Sequence, residues 1–253
     1  MQASIAECRR RTVEHIALSA DEQFTLQLVT QQPWSGYSWY QGNATSLIQI
    51  NTDLPVLISR AVDLSCHEGY PGHHVLNLLL EQRLARQRGW QEFTVYPLYS
   101  PMSLIAEGSA NYGIELAFSD DEKQAIERDV LYPLAGLDPA LAKLNTRAGL
   151  ARSALSGARL TIARDDLDGR ISRAEAVRLA QHYQLLSPER AEQSIGFTDK
   201  YRSYVINYGL GLDLVRAHVQ AAGTTSEARW ATMEQILSEP TLPADLLPVA
   251  QTP

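Results

Sequence analysis

A chain of 253 residues with 45% hydrophobic content can bury a sizeable core, either as one large domain or as a core with a helical extension. Its formal charge of -7 argues against nucleic acid as the main partner. No apolar run approaches the roughly 18 residues that span a bilayer. Met1 is followed by Gln-Ala-Ser-Ile-Ala-Glu-Cys-Arg rather than a basic-then-apolar leader, and Cys8 and Cys66 are too few for a disulfide framework. The expectation is a cytoplasmic chain with no membrane partner.

Residues 3 to 18 read as an amphipathic helix, and the alternation from Phe24 to Thr30 as a strand. A hairpin is predicted next, with arms over 36–40 and 45–51 and a turn at Gln41-Gly-Asn-Ala44. Its second arm, Leu47 to Asn51, is expected at a sheet edge, where it is either structural or a shelf on which an extended peptide pairs through its backbone. Asp53 with Pro55 then starts a helix running through Glu68.

That helix ends in His67-Glu68-Gly69-Tyr70-Pro71-Gly72-His73-His74, which holds half of the chain's six histidines. Neutral imidazole is a preferred zinc ligand, and a carboxylate beside the first ligand can serve as general base. The common zinc-protease arrangement places two histidines at i and i+4 of one helix, but here Pro71 occupies i+4. On a straight helix His73 lies about 9 Å along the axis and roughly 120° off the His67 face, and His74 about 10.5 Å along, so neither shares an ion with His67. Pro71 has no N–H for the His67 carbonyl and Gly72 permits unusual backbone, so the helix must break between Tyr70 and His73. The chain is expected to fold back and bring His73 to the ion held by His67, with Glu68 on the water side. His74 is left to hydrogen-bond a substrate or a supporting group. The plain alternative is an ordinary helix-helix turn whose histidines cap helix ends.

The next helix spans His73 to Arg88 and stops at Gly89. In the apolar, small-residue segment Ser103 to Phe118, Glu107 is the best candidate for a third ligand, since a carboxylate there needs a partner. Its alternative is a buried glutamate hydrogen-bonded to a tyrosine or an arginine. Gly108, Ser109 and Ala110 allow close packing against the His67 helix, and Asn111, one turn after Glu107, is placed to orient a ligating histidine. Ser119 with Glu122 forms a capping box for a helix to about Tyr132. A long helix is read from Pro139 to Arg164.

Residues 166 to 175 imitate part of a calcium-binding loop, but position 1 falls on Arg164, and Ser172 with Glu175 explains the same residues as a helix-helix turn. Helices near 172–184, 188–220 and 226–238 follow, and the tail, with Pro240, Pro243, Pro248 and Pro253, is expected to be irregular. Within 188–220, Tyr201, Tyr204 and Tyr208 share one helical face. Such a stripe is either core or a source of a hydroxyl for an oxyanion, as is Arg202 or, beyond the stripe, Tyr112.

The His-Glu-Gly-Tyr-Pro-Gly-His-His run followed by Glu107-Gly108 resembles the bacterial "domain of unknown function 885" proteins, relatives of the gluzincin metallopeptidases. The similarity spans about residues 37 to 215. Ser109 stands where an aromatic is usual, and the chain is much shorter than a typical member. The resemblance implies His67, His73 and Glu107 as ligands of a zinc ion and Glu68 as base, and Tyr208-Gly-Leu-Gly211 is similar to a late Tyr-x-x-Gly element that singles out Tyr208. The expected architecture is a mainly α (α+β), zincin-like helical domain over 1–253 with a small antiparallel sheet near the N-terminus. Residues 1–52 would form a helix and the sheet, 53–135 the metal-site helices, and 136–253 a helical subdomain. The expected activity is zinc-dependent hydrolysis of a peptide or small amide. The alternatives are a metal-retaining peptide-binding module without turnover and a hydrolase of non-peptide amides or esters.

Overall fold

A computed structural model describes residues 1–247; Pro248 and Pro253 of the expected irregular tail lie outside the described residues. The chain is mainly helical with one small sheet near its N-terminus. Helix α1 (Gln2–Val13) ends five residues earlier than the sequence pattern suggests. The strands are β1 (Gln23–Val29), β2 (Gly36–Gly42) and β3 (Thr45–Asn51). The predicted hairpin is present, with β2 antiparallel to β3 and Trp39 opposite Leu47.

Two expectations about the sheet are corrected. The sheet is mixed rather than antiparallel, because β1 lies parallel to β3 with Leu26 opposite Ile48. The order β1-β3-β2 makes Leu47 to Asn51 part of the central strand, so it cannot be a substrate shelf. The cause is apolar: Phe24 and Leu26 of β1 pack on Ile48, Ile50 and Leu64, and so cover the edge that the hairpin alone would leave open. The unpaired edges belong to β1 and β2.

The helix predicted from Asp53 begins later, as α2 (Ile58–Leu64), and continues as one π turn over Ser65–Gly69. Helix α3 (His73–Leu79) runs on in π geometry to Gln87 and stops at Gly89, whose φ is +74°. Helix α4 (Pro101–Ala117) carries Glu107. The capping box of Ser119 and Glu122 opens α5 (Asp120–Ile126), and a further turn reaches α6 (Tyr132–Leu134). The main core joins these helices: Val62, Cys66, Val75, Leu79, Ile105 and Tyr112 pack with Val215, Met233 and Leu237.

The long helix expected over 139–164 is two helices, α7 (Ala142–Ser153) and α8 (Gly157–Leu167), separated where Ser153, Ser156 and Gly157 lower helix propensity. The turn at 166–175 is the capping turn, with Gly169 at φ +68° and the Ser172 hydroxyl accepting the Glu175 N–H, so the calcium reading is set aside. Helix α9 (Arg173–Tyr183) and α10 (Pro188–Tyr201) build a smaller core with α8 around Ile162, Ala180 and Ile195. The expected 188–220 helix is broken after Tyr201. Arg202 takes φ +50°, and the chain winds through a 3-10 turn and a π turn (Asn207–Gly211) before α11 (Leu212–Ala222). Helix α12 (Ser226–Ser238) has the expected bounds.

One close approach explains that break. A Cβ at Gly108 of α4 would stand 2.4 Å from the Gly211 carbonyl oxygen, and one at Gly211 would stand 2.6 Å from the Leu104 carbonyl oxygen. The 207–211 turn therefore lies backbone against backbone on α4, which presses Tyr204 and Tyr208 towards Glu107. The small residues of α4 do serve close packing, but Gly108 meets this turn, while Gly113 meets Pro71 of the histidine segment.

Candidate metal centre

The histidine segment breaks where Pro71 requires it. With no N–H at residue 71, the ladder widens: the Tyr70 N–H reaches the Ser65 carbonyl at 3.3 Å and the Gly72 N–H reaches the Cys66 carbonyl at 3.0 Å. The Tyr70–Pro71 peptide bond is cis. Gly72 lies so tightly over the turn that a Cβ there would stand 1.8 Å from the His67 carbonyl oxygen. Helix α3 starts at once, with the Leu76 N–H bonded to the Gly72 carbonyl, and places His73 beside His67.

The two imidazoles meet edge to face with centroids 4.7 Å apart. Glu107 faces both: its Oε2 is 3.2 Å from His67 Nε2 and its Oε1 is 3.6 Å from His73 Nε2. Ligand atoms bound at 2.0–2.2 Å to a tetrahedral ion stand about 3.3–3.6 Å from one another, so these separations fit a shared ion. Glu107 Oε2 is fully enclosed and has no hydrogen-bond partner, an arrangement that is costly without an added cation. Glu68 joins the cluster, its carboxylate and the two imidazoles offering ligand atoms within 4.8 Å of one another. Both carboxylates therefore border the two imidazoles, and either could complete a set of ligands with them. The alternative reading of Glu107 is realised in part, since the Tyr204 hydroxyl donates to Oε1 at 2.5 Å.

The electrostatics follow from burial. Burial disfavours the Glu107 carboxylate, yet the His73 and His67 imidazoles beside it prevail and hold its pKa well below the usual carboxylate range. Burial likewise works against His73, and Glu107 outweighs it, so the imidazole sits above its ordinary value. Burial pushes Glu68 up, the direction a proton acceptor and donor near neutrality needs.

His74 points away from the cluster and is fully buried. Its Nδ1 lies 2.8 Å from Ser46 Oγ and its Nε2 is 3.0 Å from Glu22 Oε2; the same carboxylate accepts the Tyr70 hydroxyl at 2.5 Å and, on Oε1, the Arg9 Nε at 2.6 Å. This network ties the histidine turn to β3 and α1. A second tie is covalent: Cys8 and Cys66 form a disulfide. Two cysteines too few for a framework still make one bridge when the fold stacks α1 on the turn.

The tyrosines are separated by the break after Tyr201. The Tyr208 ring stacks on His67 at 6.4 Å, and its hydroxyl forms no hydrogen bond among the described residues. Burial pushes the Tyr208 pKa well above its ordinary value, so it stays a neutral donor. The Tyr204 hydroxyl is committed to Glu107. Tyr201 packs on Phe197 at 4.5 Å, one ring further out. Arg202 is exposed, Tyr112 is in the main core, and among the described residues no hydrogen bond joins Asn111 to either imidazole.

Four neighbours carry no sequence signal that points to the cluster. Gly36 opens β2 directly against Glu68, where a Cβ would stand 2.9 Å from Oε1. Tyr37 and Tyr96 are close enough for the Glu107 charge to raise their pKa values, after burial. Arg159 of α8 holds its guanidinium 4.8 Å over the Tyr208 ring. Each reaches the site only through tertiary folding.

No family model matches the chain, and no curated protein does. In fold it is similar to the crystal structure of "the putative lipoprotein from Colwellia psychrerythraea", with a TM-score of 0.68 and 18% sequence identity. That match covers 97% of this chain and 40% of the other, so the chain spans about two fifths of the neighbour's length. No helix among the described residues is long and apolar enough to cross a membrane.

Proposed function

We propose that this chain is a zinc-dependent peptidase of the gluzincin kind, related to the domain of unknown function 885 proteins. The observation that carries the reading is the Glu107 carboxylate, which faces both imidazoles at ligand spacing with Oε2 otherwise unpartnered. His67, His73 and Glu107 would hold the ion, a donor set of two imidazoles and a carboxylate that suits a hydrolytic zinc. When bound, zinc supplies a Lewis acid for the scissile carbonyl and lowers the pKa of a water.

The remaining work falls to side chains of this protein. Glu68 takes the proton of the attacking water and passes it to the leaving amine, a task its burial favours. The Tyr208 hydroxyl donates to the carbonyl oxygen as charge develops there. Tyr204 holds Glu107 in place. The outer edge of β2, which begins at Gly36 beside Glu68, offers backbone groups to an extended peptide in place of the buried β3. The Cys8–Cys66 bridge supports an oxidising compartment over the cytoplasm, because such a bridge persists where thiols are not kept reduced.

The test is peptide hydrolysis with and without a chelator. Activity should vanish on chelation and return with zinc, and Glu68→Gln should keep the metal while losing turnover by about 100-fold or more. Hydrolysis indifferent to chelation, or a Glu68→Gln variant near wild-type rate, would overturn the proposal.

A further inference from the structure

The guanidinium of Arg159 lies beside the cluster, and the peptidase reading does not use it. Its face lies over two rings, Tyr208 at 4.8 Å and Phe197 at 5.8 Å. Its Nε is enclosed and unpartnered, and no carboxylate lies within ion-pair distance among the described residues. Stacking occupies the plane of a guanidinium and leaves its edge of N–H donors free, the edge that takes a carboxylate in bidentate fashion. Burial works to lower the Arg159 pKa, with Tyr208 and the Glu107 charge acting the other way. A buried guanidinium whose donor edge has no carboxylate is unfavourable until an anion joins it.

The distance limits which anion. Tyr208 lies 6.4 Å from the His67 ring and 4.8 Å from the Arg159 Cζ, so together these place Arg159 no more than about 11 Å from the ligand imidazole. A guanidinium-to-carboxylate contact takes up about 4 Å of that, and each extended residue spans about 3.3–3.6 Å. One residue, or two on a bent path, fits between the scissile carbonyl and the anion. We propose that Arg159 binds the terminal carboxylate of the peptide, so that this site releases one or two residues from a carboxyl terminus. The inference rests on the peptidase reading. Its chemistry is that of hydrolysis: the C–N bond breaks, the hydroxyl of water joins the acyl carbon, and the proton passes to the leaving amine.

Two peptides test it, N-acetyl-Ala-Ala-Phe with a free carboxylate and the same peptide as its carboxamide. The zinc-loaded wild type should cleave the acid with kcat/KM roughly 10- to 100-fold above that of the amide, the worth of a hydrogen bond to a charged group. Arg159→Met should erase that preference by weakening the acid alone, mainly through KM, and Arg159→Lys should restore part of it. Melting temperature on each variant separates this from misfolding. Binding of both peptides to zinc-loaded Glu68→Gln, measured by calorimetry, gives a readout free of turnover and should show the same preference and the same dependence on Arg159. Equal handling of acid and amide by the wild type, or equal loss of both in Arg159→Met, would overturn the assignment. Absence of cleavage together with selective, Arg159-dependent binding of the acid would sink the peptidase reading and leave the carboxylate site standing.

Discussion

Gly36→Ala perturbs the base and spares the metal ligands, without substituting either. The added Cβ would stand 2.9 Å from Glu68 Oε1, 3.0 Å from Leu64 Cδ2 and 3.2 Å from Glu68 Cγ, whereas ordinary contact begins at 3.4 Å. The Glu68 carboxylate is the movable end, so it shifts by about half an ångström. Because that end can yield, the folding cost falls near the low end of overpacking, about 1 kcal/mol, which lowers Tm by about 2–4 °C for a chain of this size. Misplacement of about 1 Å costs on the order of 100-fold in rate, so half of that should lower kcat about tenfold. Zinc content should stay at the wild-type value, since His67, His73 and Glu107 are untouched. The assay is kcat on the peptide best cleaved by the wild type, with metal content and Tm on the same preparation. A kcat within twofold of wild type would refute the placement of Glu68 as base, and loss of metal would make Glu68 a ligand.

Three further outcomes follow from the same geometry. Replacing both Cys8 and Cys66 by alanine removes a bridge with 58 residues of sequence separation and should cost about 4 kcal/mol by loop entropy, visible in urea unfolding; an unchanged midpoint would show that the bridge does not form. Burial works to raise the Glu22 pKa, but hydrogen bonds from His74, Tyr70 and Arg9 outweigh it and lower the pKa from 4.5 to about 2; its contribution is therefore present above pH 4.5 and lost as pH falls towards 2. Wild type should lose about 3 kcal/mol more than Glu22→Gln between pH 6 and pH 2, and parallel acid unfolding curves would contradict this. Tyr208→Phe should lower kcat about 100-fold at unchanged metal content, whereas unchanged kcat with a lower Tm would make it a packing residue.

The sequence carries the helices where local signals are strong. The Ser119–Glu122 capping box, the stop at Gly89 and the bounds of α12 are as expected, because caps and glycines act within a few residues. Pro71 with Gly72 foretold the broken helix and the pairing of His67 with His73 for the same reason. What could not be read is non-local. The parallel pairing of β1 depends on Phe24 and Leu26 covering β3, and the break after Tyr201 depends on Gly211 meeting Gly108 about a hundred positions away. Gly36, Arg159 and the Cys8–Cys66 bridge owe their places to the same long-range packing.

Metal analysis of the purified chain tests the central claim most directly. Elemental analysis by mass spectrometry, after dialysis against dilute zinc, should find one zinc per chain in the wild type and little in His67→Ala, His73→Ala or Glu107→Ala, with His74→Ala retaining it. Full zinc occupancy in the Glu107→Ala and His67→Ala variants, or none in the wild type, would contradict the account.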